Sequence, residues 1–151
     1  MKILAWVIVF LLSCLILTAT LIAEEIAGIE ITSFKYGIIQ KDSEGINQLF
    51  KETDTIPYNE DFGWQIEYSS KKDVIYYCKL YTPAKPAVVA KGNITIDDTT
   101  YKSPEYIFER GNKTYTFKWG LDPGDPSGKY IEEIYIGGQL YKTITFNILQ
   151  P

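Results

Sequence analysis

Several short segments of this chain alternate between apolar and polar residues, and Gly, Pro, Asp or Asn residues separate them. Such alternation is typical of β-strands with one buried face, and the separating residues are typical of turns. No window of helical length after residue 24 has an apolar stripe, although residues 44–51 are compatible with one helical turn. The regular spacing predicts an all-β domain, either a sandwich or a barrel. The predicted strands are Ile26–Tyr36, Phe62–Ser69, Asp73–Tyr81, Val88–Ile96, Tyr106–Arg110, Thr114–Trp119, Lys129–Ile136 and Leu140–Leu149.

The last two predicted strands form the clearest unit of the chain. Each has apolar residues at alternate positions, and Gly137-Gly138 between them supplies the positive φ that a tight hairpin turn requires. Residues 121–128 before this hairpin have the composition of a turn, and Tyr130 lies two residues after Gly128. Immunoglobulin-like sandwiches often place a tyrosine at such a corner, where its hydroxyl bonds to the turn backbone.

The start of the chain predicts export. An uncharged, apolar run of 21 residues, from 3 to 23, lies between Lys2 and Glu24. As a helix it would reach roughly 31 Å, about the thickness of the hydrocarbon core of a membrane. A cleaved signal peptide needs small residues at its exit, and Leu21 occupies one of those positions. Residues 1–23 are therefore either a signal peptide or an N-terminal membrane anchor.

Residues 24–151 are predicted to form one exported domain, either periplasmic or secreted. If residues 1–23 are retained, this domain is tethered to the cytoplasmic membrane. The chain has 15 basic and 19 acidic residues, a net charge of −4, and no basic cluster beyond Lys71-Lys72. Nucleic acid is therefore not an expected partner, because binding it requires concentrated positive charge.

The chain contains no histidine, which removes the commonest general base and the commonest metal ligand. The Asp97-Asp98 pair, and Asp122 with Asp125, have the composition of turns rather than of a calcium loop. Cys78 is assigned to the core, where a thiol is inert. We therefore expect no enzyme, with no catalytic residues, no metal and no cofactor.

Short motifs between residues 53 and 148 form a pattern. They are Thr55-Ile56-Pro57, Phe62-Gly63, Pro83, Trp119, Gly128-Lys129-Tyr130, Tyr135-Ile136-Gly137-Gly138 and Phe146. This pattern resembles a family of small exported bacterial domains with no assigned function. The resemblance implies an immunoglobulin-like antiparallel β-sandwich of about seven or eight strands and brings no catalytic residues with it.

Strand alternation also gives a binding hypothesis. With Cys78 in the core, Tyr77 and Tyr81 are expected to point outward from their strand. By the same parity, Tyr135 and Tyr141 are expected to lie opposite the inward residues of the last hairpin. Tyrosines on one sheet face can stack on sugar rings or on an apolar patch of a partner. The alternative is that they form ordinary cross-strand pairs that stabilise the sheet.

The sequence therefore predicts a non-catalytic interaction or envelope-associated module that recognises another envelope protein or a glycan through a sheet face or a sheet edge. One alternative is a carbohydrate-binding module that uses an exposed tyrosine face. A second alternative is a small envelope hydrolase, which would need polar groups converging in a pocket. Any family-specific site is expected in one of the two proline-containing loops, residues 52–61 or 82–86.

Overall fold

The computed structural model describes residues 23–41 and 48–149 of the 151-residue chain. Every regular element in these ranges is a β-strand, which confirms the predicted all-β fold. The helix predicted for the export segment lies outside the described residues, and the described ranges contain no helix able to cross a membrane. The strands are β1 (Glu24–Ile26), β2 (Ile29–Lys41), β3 (Gln48–Glu52), β4 (Thr55–Ile56), β5 (Phe62–Ser70), β6 (Val74–Tyr81), β7 (Ile94–Asp97), β8 (Thr100–Lys102), β9 (Tyr106–Phe108), β10 (Gly111–Trp119), β11 (Gly128–Ile136) and β12 (Gln139–Ile148).

These strands form two sheets with the core between them. The first sheet has the order β1-β2-β5-β10, and β3 also pairs with β2. The second sheet has the order β4-β12-β11-β6-β8-β7, and β9 also pairs with β6. The pairs are antiparallel except for β4 with β12, which run parallel. The arrangement is therefore a sandwich and not a closed barrel.

Trp64 of β5 lies at the centre of the larger core cluster and is fully buried. Its ring stacks on Phe117 at a centroid distance of 5.1 Å and meets Tyr76 edge-on at 5.7 Å. Trp119 is half-buried and packs against both core clusters. The glycine beside Trp64 lets β10 approach β5 closely, because a Cβ on Gly63 would overlap the carbonyl oxygen of Phe117. Trp64 therefore fills the centre of the sandwich.

The structure also confirms the last hairpin and its corner. Gly137 and Gly138 both have positive φ, 56° and 80°, in the turn between β11 and β12. Tyr130 is buried, and its hydroxyl donates a 2.6 Å hydrogen bond to the carbonyl oxygen of Pro126. The predicted tyrosine corner therefore joins the 121–128 turn to the start of β11.

The strand predicted over Val88–Ile96 is largely wrong. Only Ile94–Asp97 is a strand there, and residues 83–93 have no regular structure. Proline has no N–H to donate to a ladder, so Pro83 and Pro86 end the sheet pairing after β6. Alternation alone did not reveal this, because a loop with two exposed valines gives a similar pattern.

The structure also differs from the sequence-based expectations at two places near the start of the domain. The strand predicted over Ile26–Tyr36 is interrupted by a turn at Ala27-Gly28, where both φ angles are positive, and β2 then continues to Lys41. The helical turn with which residues 44–51 were compatible does not form over the described part, since Gln48–Glu52 pairs with β2 as a strand, and residues 42–47 lie outside the described residues. With β1, β3, β4 and β8 added, the described residues form twelve strands instead of the eight predicted.

Candidate functional site

The outer face of the second sheet brings Tyr77 and Tyr135 together. The two residues are direct cross-strand partners on β6 and β11. Their rings are nearly parallel, with an interplanar angle of 9° and a centroid distance of 4.9 Å. Both side chains are half-buried. This geometry is that of a stabilising cross-strand aromatic pair.

Charged side chains extend this pair. The Lys102 ammonium lies 4.2 Å from the centre of the Tyr77 ring, and the Lys79 ammonium lies 4.9 Å from that of Tyr135. Because β8 and β11 flank β6 on opposite sides, Lys102 and Tyr135 approach Tyr77 from opposite sides. Neither face of the Tyr77 ring is therefore free to stack on a sugar.

Glu133 binds two of the predicted tyrosines on this face. Its Oε2 accepts hydrogen bonds of 2.9 Å from the Tyr81 hydroxyl and 2.7 Å from the Tyr135 hydroxyl. The bond to Glu133 raises the pKa of Tyr135 to about 12. The structure therefore places Tyr77, Tyr81 and Tyr135 in one polar and aromatic network on the outer face.

The fourth predicted tyrosine, Tyr141, does not belong to this face. It packs against the core and meets the ring of Phe34 edge-on at 5.9 Å. The β11–β12 register shifts at this point: Ile134 pairs with Lys142 while Tyr135 pairs with Leu140. Tyr141 is thus the extra residue of a β-bulge, which reverses the parity expected from simple alternation. The predicted orientation of Tyr141 was wrong for this reason.

Exposed aliphatic side chains surround the tyrosine pair. Ile75 and Ile107 are direct cross-strand partners and are 50% and 56% exposed. Leu140 is the β12 partner of Tyr135 and is also exposed. Ile94 on the edge strand β7 is exposed as well and pairs with the lysine that covers Tyr77. The apolar patch, as we call this surface, consists of Ile75, Tyr77, Ile94, Ile107, Tyr135 and Leu140.

The outer face of the first sheet differs sharply from the apolar patch. On β5 and β10 it presents Gln65, Glu67, Thr114 and Thr116, and Gln65 donates a hydrogen bond to Thr116. Among the side chains that the structure describes, no strand of the first sheet has an exposed large apolar residue. The apolar surface of the sandwich is therefore one-sided.

Sequence reasoning missed a buried carboxyl group, Glu132 on β11. This side chain is fully buried among core residues, and its Oε1 accepts a 3.0 Å hydrogen bond from the indole N–H of Trp64. Its Oε2, the Trp119 indole nitrogen and the Tyr36 hydroxyl are also buried and have no hydrogen-bond partner in the described structure. The signal was available, because Glu132 occupies an inward position between Tyr130 and Ile134.

Burial dominates the electrostatics of Glu132. Desolvation raises its pKa from 4.5 to about 7, and the indole and thiol groups of Trp64, Cys78 and Trp119 partly oppose this rise. Burial also raises the pKa of Cys78 and of Tyr36, so both remain neutral at physiological pH. Cys78 is fully buried, which confirms its assignment to the core. Because Glu132 has no access to solvent, it is a feature of the core and not of a surface cleft.

The acidic residues singled out in the sequence have structural roles in turns. Asp97 Oδ1 accepts a 2.8 Å hydrogen bond from the backbone N–H of Thr99, and Asp98 forms an ion pair with Lys85. In the 121–128 turn, Asp125 Oδ2 accepts a 2.8 Å hydrogen bond from the backbone N–H of Asp122. The Asp97 contact is that of an Asx turn, the Asp125 contact closes its turn on a residue three positions earlier, and the Asp98 contact is an exposed ion pair.

Comparison with known proteins assigns this sandwich to a family. Residues 34–149, which include the second sheet and most of the first, match the family described as the PM0630 beta sandwich domain. The chain belongs to the PM0630 β-sandwich family. This membership confirms the family resemblance seen in the sequence, and the family has no assigned function.

The fold of this PM0630 β-sandwich domain is also found in a solved structure. An immunoglobulin-like protein from Pseudomonas aeruginosa, PA1606, superimposes with a TM-score of 0.54 at 16% identity, covering 82% of this chain and 98% of that one. The PmoD soluble domain from a Methylocystis species gives a TM-score of 0.40 at 13% identity, covering 87% of this chain and all of the other. No curated protein matches the sequence. The family match and the PA1606 superposition therefore establish an immunoglobulin-like β-sandwich.

Proposed function

We propose that this domain is a non-catalytic interaction module that binds a protein partner through the apolar patch. The observation that carries the proposal is the one-sided surface. On the outer face of the second sheet, four aliphatic side chains that are at least half exposed lie around a tyrosine pair, whereas the described outer face of the first sheet is polar. Contiguous exposed apolar surface on a soluble domain is typical of protein interaction sites. The charges beside the patch have both signs, since Glu133 lies on the same face as Lys79 and Lys102, and Lys102 forms an ion pair with Glu105 at 3.1 Å. The partner surface is therefore expected to match the patch mainly by being apolar.

The proposed setting is outside the cytoplasm. Residues 1–23 would either direct export or hold the domain at the membrane, as their sequence predicts. In either setting the partner is an envelope or secreted protein. The apolar patch lies on the sheet face and not at a chain end, so it would stay available with or without a tether.

The two alternative functions have less support. A carbohydrate-binding module needs open aromatic ring faces, and both sides of Tyr77 are covered by Tyr135 and Lys102. A hydrolase needs accessible acid and base groups, whereas the carboxyl with the most perturbed pKa, Glu132, is fully buried.

Substitutions on the patch test the proposal. The full-length triple variant Ile75→Ser/Ile107→Ser/Leu140→Ser should reduce recovery of the specific partner at least about tenfold, since losing 1.4 kcal/mol of binding is tenfold. All three side chains are half exposed, so unfolding free energy should change by only about 0.5 kcal/mol for each residue. Quantitative co-purification from the source cells, with mass spectrometry, measures the recovery.

A matched control uses the opposite face. The variant Gln65→Ala/Thr114→Ala/Thr116→Ala changes three outward residues of the first sheet and should recover the partner as the wild type does. Equal recovery of the partner by the patch variant and the wild type would contradict the proposal. Recovery that falls as much for the control variant as for the patch variant would also contradict it.

A further inference from the structure

We propose that a cavity at one end of the sandwich binds a primary ammonium group that carries a short alkyl chain. The cavity is separate from the apolar patch, and this inference does not depend on the proposed function. It lies between the sheets, below the irregular 83–93 segment and beside the 121–128 turn, and has a volume of about 70 Å³. Its location agrees with the expectation that a family-specific site lies near the proline-containing loop after β6.

The inner part of the cavity is apolar and aromatic. Phe62, Tyr130 and Phe146 of the smaller core cluster form its floor, and Leu80 and Trp119 contribute to its lining. A water molecule occupies about 30 Å³ in the liquid, so the cavity has room for roughly two to four heavy atoms. It is too small for a drug-sized ligand. An ammonium group on a chain of two or three carbons fits both its size and its lining.

Two acidic residues of the turn line the mouth of the cavity: Asp122, which is exposed, and Asp125, which is half-buried and whose Oδ2 accepts the backbone N–H of Asp122. In the described part of the chain neither forms an ion pair with a lysine or arginine. Asp125 is half-buried, and burial raises the pKa of its carboxyl. A cation placed beside these residues would offset the cost of keeping this carboxylate charged.

The acidic residues and the aromatic and apolar lining together indicate which ligand the cavity would bind. Carboxylates attract a cation, the aromatic side chains of the lining favour an ammonium over a neutral group, and the apolar floor accepts the alkyl chain. A carboxylate ligand would be repelled by Asp122 and Asp125. Two sources share the required chemistry: a free alkylamine, and a peptide N-terminus whose first residue is small and apolar.

The test is a titration of the full-length chain with n-propylammonium, followed by NMR of ¹⁵N-labelled tryptophan indoles and assigned with Trp119→Phe. The Trp119 signal should shift saturably with a dissociation constant in the millimolar range, as expected for a ligand of four heavy atoms. The neutral isostere n-propanol should bind at least about tenfold more weakly. Alaninamide serves as the peptide N-terminus probe, with its ammonium nitrogen, Cα and methyl carbon inside the cavity and its amide outside, and the tighter of the two ammonium probes identifies the source.

Two variants with the same change in charge complete the design. Asp122→Asn/Asp125→Asn keeps a side-chain oxygen for the turn and should weaken propylammonium binding about tenfold, to the level of propanol. Glu25→Gln/Glu67→Gln removes two exposed charges on the first sheet and should leave binding unchanged. The proposal is overturned if neither ammonium probe gives a saturable shift, if propanol binds as tightly as propylammonium, or if both double variants weaken binding equally.

Discussion

Replacing Trp64 by phenylalanine should lower the free energy of unfolding by about 3 kcal/mol. The Trp64 side chain is fully buried, and its ring contacts Phe117 and Tyr76 in the centre of the larger core cluster. Phenylalanine leaves part of this volume empty. It also removes the N–H that donates to Glu132, so a buried carboxyl oxygen loses its hydrogen bond. Urea unfolding followed by far-ultraviolet circular dichroism measures the change.

Trp119→Phe is the matched control for this prediction. Trp119 is half-buried, and its indole nitrogen donates no hydrogen bond of normal geometry in the described structure. The same substitution there should cost only about 1 kcal/mol, because less packing and no such bond are lost. Equal losses for the two variants would show that the central position and the Glu132 bond contribute nothing special to stability.

Replacing Glu132 by glutamine should remove a pH dependence of stability that the wild type shows between about pH 4.5 and pH 7. The pKa of Glu132 rises from 4.5 to about 7 on folding because the side chain is buried. In this pH range the unfolded chain releases the proton and the folded chain keeps it, so stability falls as pH rises. The wild type should lose about 3 kcal/mol across this range and no more above it.

The difference between wild type and Glu132→Gln isolates this effect, because other titrating groups contribute equally to both. The ionisable groups that face Glu132, Tyr36 on β2 and Cys78 on β6, have pKa values raised by burial and stay neutral throughout the range. Between pH 5 and pH 8, urea unfolding should show a larger fall in the free energy of unfolding for the wild type than for the variant. An equal fall in both proteins would mean that Glu132 ionises in the folded protein as it does in the unfolded chain.

The strands that the sequence predicts best are those with apolar residues at alternate positions along most of their length. The predicted bounds of β5, β6, β11 and β12 agree with the observed bounds to within one residue at each end. Glycine pairs and corner tyrosines act locally, so the last hairpin and the Tyr130 bond to Pro126 follow from a few neighbouring residues. For these elements local chemistry and long-range packing favour the same structure.

The predictions failed where pairing partners decide the structure. Residues 88–93 have strand-like composition, yet the prolines before them end the ladder. Tyr141 faces inward because of a bulge opposite Ile134-Tyr135, and a bulge depends on the partner strand. The outward orientation predicted from the sequence is therefore correct for Tyr77, Tyr81 and Tyr135. The inward orientation of Tyr141 could not be predicted, because the alternation pattern does not reveal the bulge.

The apolar patch itself required the sheet order. Ile75, Ile107 and Leu140 lie on three different strands, and the pairings of β6 with β9 and of β11 with β12 bring them to the same face. The buried role of Glu132 likewise depends on Trp64, which lies on the opposite sheet and 68 residues earlier in the chain. A charged residue at an inward position signals such a site, but its partner is set by the packing of the two sheets.

Site-specific photo-cross-linking tests the proposed interaction face most directly. The photoreactive residue p-benzoylphenylalanine, placed at Ile75 or at Leu140 of the full-length chain in its source cells, should cross-link to the same protein from both positions. Placed at Gln65 or Thr116 on the outer face of the first sheet, it should give no such product. Cross-links to that protein from the first sheet, or their absence at both Ile75 and Leu140, would contradict recognition through the apolar patch.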